Sequence, residues 1–199
     1  MNRRTFLKTS AAAGLTIAGF SLHGADQPGK KFRTALIGCG WWGNNILREA
    51  MASGACKIVG LCDVDERALD ATFERVTKDS GDQPAKHRDY RGMLEMTQPE
   101  IVIVATPDHW HAIPTIAAMN VGAHVYVEKP ISHTINEGKA MVKVQHETGR
   151  VVQVGTHRRI SPHNVSGREF IRSGKAGKIG MVRCFVNYGG GPEKPQPNS

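Results

Sequence analysis

The sequence predicts an α/β fold, an open and doubly wound parallel sheet with helices on both faces. Three observations predict it. Five short apolar runs rich in Val and Ile recur along the chain, most without strict alternation, as strands do when both faces of a sheet are buried. Stretches of helical period lie between them. A G-x-G-x-x-G pattern, Gly38-Cys39-Gly40-Trp41-Trp42-Gly43, stands directly between the first run and the first helical stretch.

The runs are Thr34–Ile37, Lys57–Cys62, Ile101–Ala105, His124–Val127 and Val151–Val154. Ile46, Leu47, Ala50 and Met51 share one helical face, and Ala68, Leu69, Thr72, Phe73 and Val76 share the next. Asp89-Tyr90 opens a short helix through Met96, and Ile113, Ile116 and Ala117 form a stripe after the third run. Thr134-Ile135-Asn136-Glu137 is a capping-box sequence that starts a helix running to about Thr148. Residues 78–86 are polar, contain Gly81 and Pro84, and read as a surface loop. Strand–helix alternation of this kind implies right-handed crossovers. After Val154 the pattern changes to a helix from about Pro162 to Ser173, glycine-rich residues, and a new strand, Met181–Val186.

Bulk properties narrow the function classes. The formal net charge is +8, and three of the positive charges, Arg3, Arg4 and Lys8, lie at the N-terminus. No basic run alternates with aromatics, so nucleic acid is not an expected partner. The four cysteines, Cys39, Cys56, Cys62 and Cys184, form no C-x-x-C pair, which argues against a zinc ribbon or a dithiol redox motif and for free thiols.

The segment Asn2-Arg3-Arg4-Thr5-Phe6-Leu7-Lys8, followed by a weakly apolar stretch from Ala11 to about Leu22, resembles a twin-arginine export signal. The stretch is too short and mild for a stable membrane span. Twin-arginine translocation machinery is then a partner, and the location is periplasmic or otherwise exported, with tethering by an uncleaved signal as the variant. The alternative is an ordinary basic N-terminus.

The spacing of Gly38, Gly40 and Gly43 has a mechanical meaning. The first permits a tight turn, the second lets a pyrophosphate approach the backbone, and the third lets helix pack on strand. The helix N-terminus offers free N–H groups and a partial positive charge to phosphate. The second apolar run ends in Asp63, 25 residues after Gly38, close to the usual offset of about 20. A carboxylate there accepts both ribose hydroxyls and repels a 2′-phosphate, so the expected cofactor is NAD rather than NADP. Trp41 and Trp42 either cover the adenine or pyrophosphate or pack the first helix on the sheet.

Ligands of open parallel sheets lie at the carboxyl ends of the strands. Two ends are unusually polar: Thr106-Pro107-Asp108-His109-Trp110-His111 and Glu128-Lys129-Pro130. Lys129 can orient a hydroxyl or carry a proton beside the cofactor; the alternative is a solvated Glu–Lys pair. His109 and His111 are spaced to chelate, but no third ligand has matching spacing, so no metal is expected.

The set Gly38-x-Gly40-x-x-Gly43, Asp63, Thr106-Pro107 with His111, Glu128-Lys129-Pro130 and Gly155-Thr156-His157-Arg158-Arg159 resembles the glucose–fructose oxidoreductase / inositol dehydrogenase (Gfo/Idh/MocA) family, over residues from about 33 to 188. The resemblance implies an NAD(P)-dependent oxidoreductase acting on a sugar or cyclitol CH–OH group. It implies Lys129 as the catalytic lysine and as a cofactor contact, Glu128 at the nicotinamide end, Thr106 and Pro107 lining the cofactor, and His111 nearby. His157 stands where the family commonly has Gln. The family's second domain is a large antiparallel sheet that supplies an Asp-x-x-x-His pair, and no such pair follows Arg159. The implied organisation is a signal at 1–25, a linker at 26–32, a Rossmann NAD(P)-binding domain at 33–156, and the truncated start of an α+β substrate domain at 157–199. Oligomerisation is then a property of the longer enzyme. Two other readings stand beside the dehydrogenase: an NAD-dependent glycosidase of the same family, and a non-catalytic NAD-binding fragment.

Overall fold

The computed structural model describes residues 29–185. The leader, linker residues 26–28, the last residue of the expected strand Met181–Val186 and the tail lie outside the described residues. Six strands, β1 (Phe32–Ile37), β2 (Cys56–Cys62), β3 (Ala85–His87), β4 (Ile101–Val104), β5 (His124–Glu128) and β6 (Val152–Gly155), form one parallel sheet in the order β3-β2-β1-β4-β5-β6. Six α-helices accompany them: α1 (Trp41–Ala52), α2 (Glu66–Ser80), α3 (Tyr90–Thr97), α4 (Ala112–Asn120), α5 (Ile135–Thr148) and α6 (Pro162–Arg172).

The apolar runs are continuous because each face of the sheet has its own core. Leu36 of β1 and Ile103 of β4 pack with Leu47 of α1 and Leu69 and Val76 of α2. Their neighbours Ala35, Ile37, Val102 and Val104 point the other way, onto Met93 and Leu94 of α3, Met119 of α4 and Met141 of α5. Each fully buried Leu, Ile or Met of this kind contributes about 1.5–3 kcal/mol. Asp65 and Asp89 cap α2 and α3 through the N–H groups of Arg67 and Arg91, and Thr134 and Glu137 form the expected capping box on α5.

Three expectations need correction. Residues 78–86 are not all loop: α2 ends at Ser80, and Ala85–His87 form β3 along Gly60–Cys62. A three-residue edge strand reading Ala-Lys-His carries too few apolar positions for its period to register. In α4 the buried positions are Ala112, Pro114, Thr115, Ala118 and Met119, while Ile113 is exposed and Ile116 and Ala117 are half-buried. Ile116 and Ala117 pack against the core from its edge, so only Ile113 falls outside the buried side, which small and polar residues share with Met119. Residues 181–185 form no strand, and Met181, Val182 and Phe185 are exposed. No neighbouring strand among the described residues pairs with them, and an unpaired segment leaves its backbone groups to water.

The strand order reverses at β1. Crossovers run through β2 and β3 to one side and through β4, β5 and β6 to the other. A crevice therefore opens between the carboxyl ends of β1 and β4, where open α/β sheets place their ligands.

Candidate functional site

The glycine loop fills the turn from β1 to α1. Gly38 has φ +97°, and a Cβ there would lie 2.6 Å from the Ala105 carbonyl carbon and oxygen. A Cβ on Gly43 would lie 1.9 Å from the Gly38 carbonyl oxygen, so α1 touches the turn with nothing between. Gly40 differs, since a Cβ there would meet nothing within 4 Å. The protein's own packing does not require glycine at that position.

Two neighbours hold the loop between Gly38 and Gly40. The Cys39 N–H donates to Asp63 Oδ2 at 2.6 Å, and the Asp65 N–H donates to Asp63 Oδ1 at 2.9 Å. On the other side Asn44 Nδ2 donates to the carbonyls of Cys39 at 2.6 Å and Gly40 at 3.0 Å. Asn44 also exchanges hydrogen bonds with the Thr72 hydroxyl of α2. Sequence reasoning missed Asn44; the signal was an amide side chain in the first turn of a helix that has no side-chain N-cap.

The same carboxylate shapes the chemistry of two buried thiols. Burial first, and the Asp63 charge second, push the thiols of Cys39 and Cys62 up to about 12 from an ordinary 9.0. A thiol whose folded pKa lies above its unfolded value favours folding below about pH 9, and that contribution is lost as pH climbs toward 12. Between these limits each thiol should withdraw about 1.4 kcal/mol of stability per pH unit. Urea midpoints at pH 7, 9 and 10 should fall accordingly, and more gently in a Cys39→Ala, Cys62→Ala variant; equal falls in both proteins would reject the assignment.

Clefts flank the loop on either side of the crevice. One, of about 460 Å³, is lined by Gly38, Asp63, Val64, Pro107 and Trp110, with Arg88 at its edge. The other, of about 940 Å³, runs from Trp41 and Trp42 past Glu128 and Lys129 to His157, Arg158 and Arg159. Thr106 lines both. Its hydroxyl is buried without a hydrogen-bond partner among the described residues.

The floor of the larger cleft is built by the ends of β4, β5 and β6. His111, 2% exposed, spans two of them: its Nδ1 lies 2.5 Å from the Pro130 carbonyl oxygen and its Nε2 2.8 Å from that of Thr106. A neutral ring donates to one of these at a time. Glu128, 3% exposed, accepts from the Tyr126 hydroxyl at 2.9 Å and from the Lys129 N–H at 3.1 Å. Burial first, then the bond to Glu128, holds the Tyr126 hydroxyl well above its usual pKa, so it stays a donor. Gly155 faces Glu128 across the β5–β6 ladder, and a Cβ on it would lie 2.5 Å from Glu128 Oε1 and 2.6 Å from the Tyr126 hydroxyl. The spacing role of Gly155 was not legible, because it depends on inter-strand register; Tyr126, two residues before Glu128 on the same strand, was read only as part of an apolar run. Lys129 is exposed on the cleft wall and makes no ion pair among the described residues.

The expected site residues thus divide. Trp41, Trp42, Thr106, His111, Glu128 and Lys129 meet in the larger cleft, and Gly38, Asp63, Thr106 and Pro107 meet in the smaller. Gly40 and Gly43 belong to the ridge between them. Neither tryptophan lines the Asp63 cleft. Trp41 is 79% exposed, so it does not pack α1 on the sheet. Trp42 stands 5.3 Å from Trp41 and 5.3 Å from the His157 ring.

These features fit a dinucleotide. Bare space faces Gly40, uncapped N–H groups begin α1, and an unpartnered hydroxyl sits at the crevice between two clefts. The Gfo/Idh/MocA family, an oxidoreductase family with an NAD-binding Rossmann fold, matches residues 32–156. The chain belongs to the Gfo/Idh/MocA family. Its cofactor is accordingly NAD, held by this Rossmann domain. A glycosyl hydrolase family 109 protein of Saccharopolyspora erythraea is 34% identical over 172 residues, covering 75% of this chain and 38% of that protein. An inositol 2-dehydrogenase of Salmonella typhimurium is 26% identical over 152 residues, 75% of this chain and 44% of that one. Among solved structures, myo-inositol 2-dehydrogenase of Lactobacillus plantarum aligns with a TM-score of 0.68 and 28% identity, over 75% of this chain and 43% of its own. The chain therefore spans less than half the length of these Gfo/Idh/MocA relatives.

Proposed function

We propose that the protein serves hydride transfer between NAD and the CH–OH carbon of a sugar or cyclitol. The observation that carries this reading is Lys129, an exposed amine following the buried Glu128 in the cleft that shares Thr106 with the Asp63 side. Bound NAD supplies the hydride acceptor. The N–H groups that open α1 hold the pyrophosphate, and Asp63, which keeps lone pairs beyond its two backbone bonds, accepts the ribose hydroxyls. Glu128 fixes the nicotinamide end. Lys129 is the group placed to accept the proton of the substrate hydroxyl as the carbonyl forms. The inositol dehydrogenase relatives support the substrate class.

The test is NADH formation at 340 nm with a panel of sugars and cyclitols. Lys129→Ala should lower turnover by about 10²- to 10⁴-fold while NAD affinity stays within about twofold. Retained turnover would remove Lys129 from the chemistry.

The family 109 relative favours a second reading, a glycosidase that holds NAD. Release of sugar from an aryl glycoside without net NADH would select it. NAD binding with neither reaction would leave a non-catalytic binding module. Export through the twin-arginine route, from the Arg3-Arg4 leader, belongs to the same proposal. Recovery of the protein from the cytoplasmic fraction alone would end that part of it.

A further inference from the structure

The larger cleft holds more positive charge than its own carboxylates use. Lys129, Arg158 and Arg159 line it, and none of the three makes an ion pair among the described residues. Two carboxylates share the cleft and both are engaged. Glu128 is buried and accepts from Tyr126 and from the Lys129 N–H. Asp108 accepts from the His109 N–H at 3.0 Å, with the His109 ring 3.7 Å away.

The arginines do not hang on a loose loop. They occupy a 3-10 turn, His157–Ile160, that follows β6. Asn164 Nδ2 closes the turn by donating to the Arg158 carbonyl at 2.7 Å, and the His157 ring packs against Trp42 in a tilted pair with centroids 5.3 Å apart. Beside them Trp41 presents an exposed indole face to the same cleft. The Trp42 indole N–H, in the cleft wall, is buried with no acceptor among the described residues. A flat apolar face, two arginines on an ordered turn and an amine are complementary to a ring with an apolar face and an anionic substituent.

We propose that this cleft selects an acidic sugar, one bearing a carboxylate or a phosphate, over its neutral counterpart. The ring lies on Trp41 and the anion on Arg158 and Arg159. This rests on the reading of the cleft as the substrate side of the NAD site. The competing role for the arginines is neutralising the cofactor pyrophosphate, which the open N-terminus of α1 already serves.

The test uses the NAD-loaded chain and its tryptophan fluorescence, titrated separately with glucuronate, glucose 6-phosphate and glucose. At least one acidic sugar should bind about tenfold more tightly than glucose, and the better of the two names the anion. An Arg158→Ala, Arg159→Ala variant should lose that preference. Equal affinity for glucose, or a preference that survives in the variant, would overturn the proposal. So would a tenfold loss of NAD affinity in the variant, which would assign the arginines to the pyrophosphate. Failure of the unaltered chain to bind NAD would instead strike at the oxidoreductase reading beneath it.

Discussion

Replacing Gly43 by Ala should destabilise the domain by several kcal/mol, on the order of 3 or more. The added methyl would sit 1.9 Å from the Gly38 carbonyl oxygen, a contact with backbone that no side-chain rotation relieves. Either α1 lifts from the turn or the turn abandons its left-handed residue, and both disturb Leu47 in the core beneath. Gly40→Ala is the informative comparison. Its methyl meets nothing, so the thermal midpoint should move by no more than about 2 °C. NAD affinity should nevertheless fall about tenfold or more, because the space that methyl enters is the space a pyrophosphate needs. Differential scanning fluorimetry and NAD titration on both variants read the two effects separately. If Gly40→Ala binds NAD normally, the loop does not cradle the phosphates.

Asp63→Ala carries the largest expected effect on binding alone. The carboxylate does two things: it accepts the Cys39 and Asp65 N–H groups, and it faces the smaller cleft where the ribose is placed. Hydrogen bonds to a charged acceptor contribute about 1.5–3 kcal/mol each, so NAD affinity should fall about 30-fold or more by isothermal titration. Asp63→Asn separates the roles. It keeps one acceptor for the Cys39 N–H but puts an amide NH2 donor where the other oxygen was, so it should recover stability more fully than affinity. An unchanged NAD affinity in Asp63→Ala would take the residue out of the site.

The doubly wound sheet was legible because strands buried on both faces carry near-continuous apolar runs, Ala35–Ile37 in β1, Ile58–Cys62 in β2, Ile101–Val104 in β4 and Val125–Val127 in β5. The helix starts were legible wherever a side chain caps them, as at Asp89 and Thr134. β3 was not, because its membership rests on pairing with Gly60–Cys62 rather than on its own composition. In the candidate site, the close-packed turn at Gly38 and Gly43 was readable from spacing, and the places of Asp63 and Lys129 just past β2 and β5 from where the apolar runs stop. Asn44, Tyr126 and Gly155 were not. Asn44 acts through Thr72 on another helix and Gly155 through Glu128 across the β5–β6 ladder, while Tyr126 bonds Glu128 two residues along its own strand and was read only as part of an apolar run. The tilted ring contact of Trp42 with His157 was hidden because it joins the first helix to the turn after β6.

The peptide between Cys39 and its neighbours is fastened at both ends, its N–H to Asp63 and its carbonyl to Asn44. A loop held in this way has given up its conformational entropy during folding, so cofactor binding has little ordering left to do. Association then resembles docking onto a finished surface rather than closure around a guest. It also extends the reach of the site into the scaffold. Thr72 sits fully buried on α2 and steadies Asn44. Its loss would register as a looser grip on a molecule it never touches.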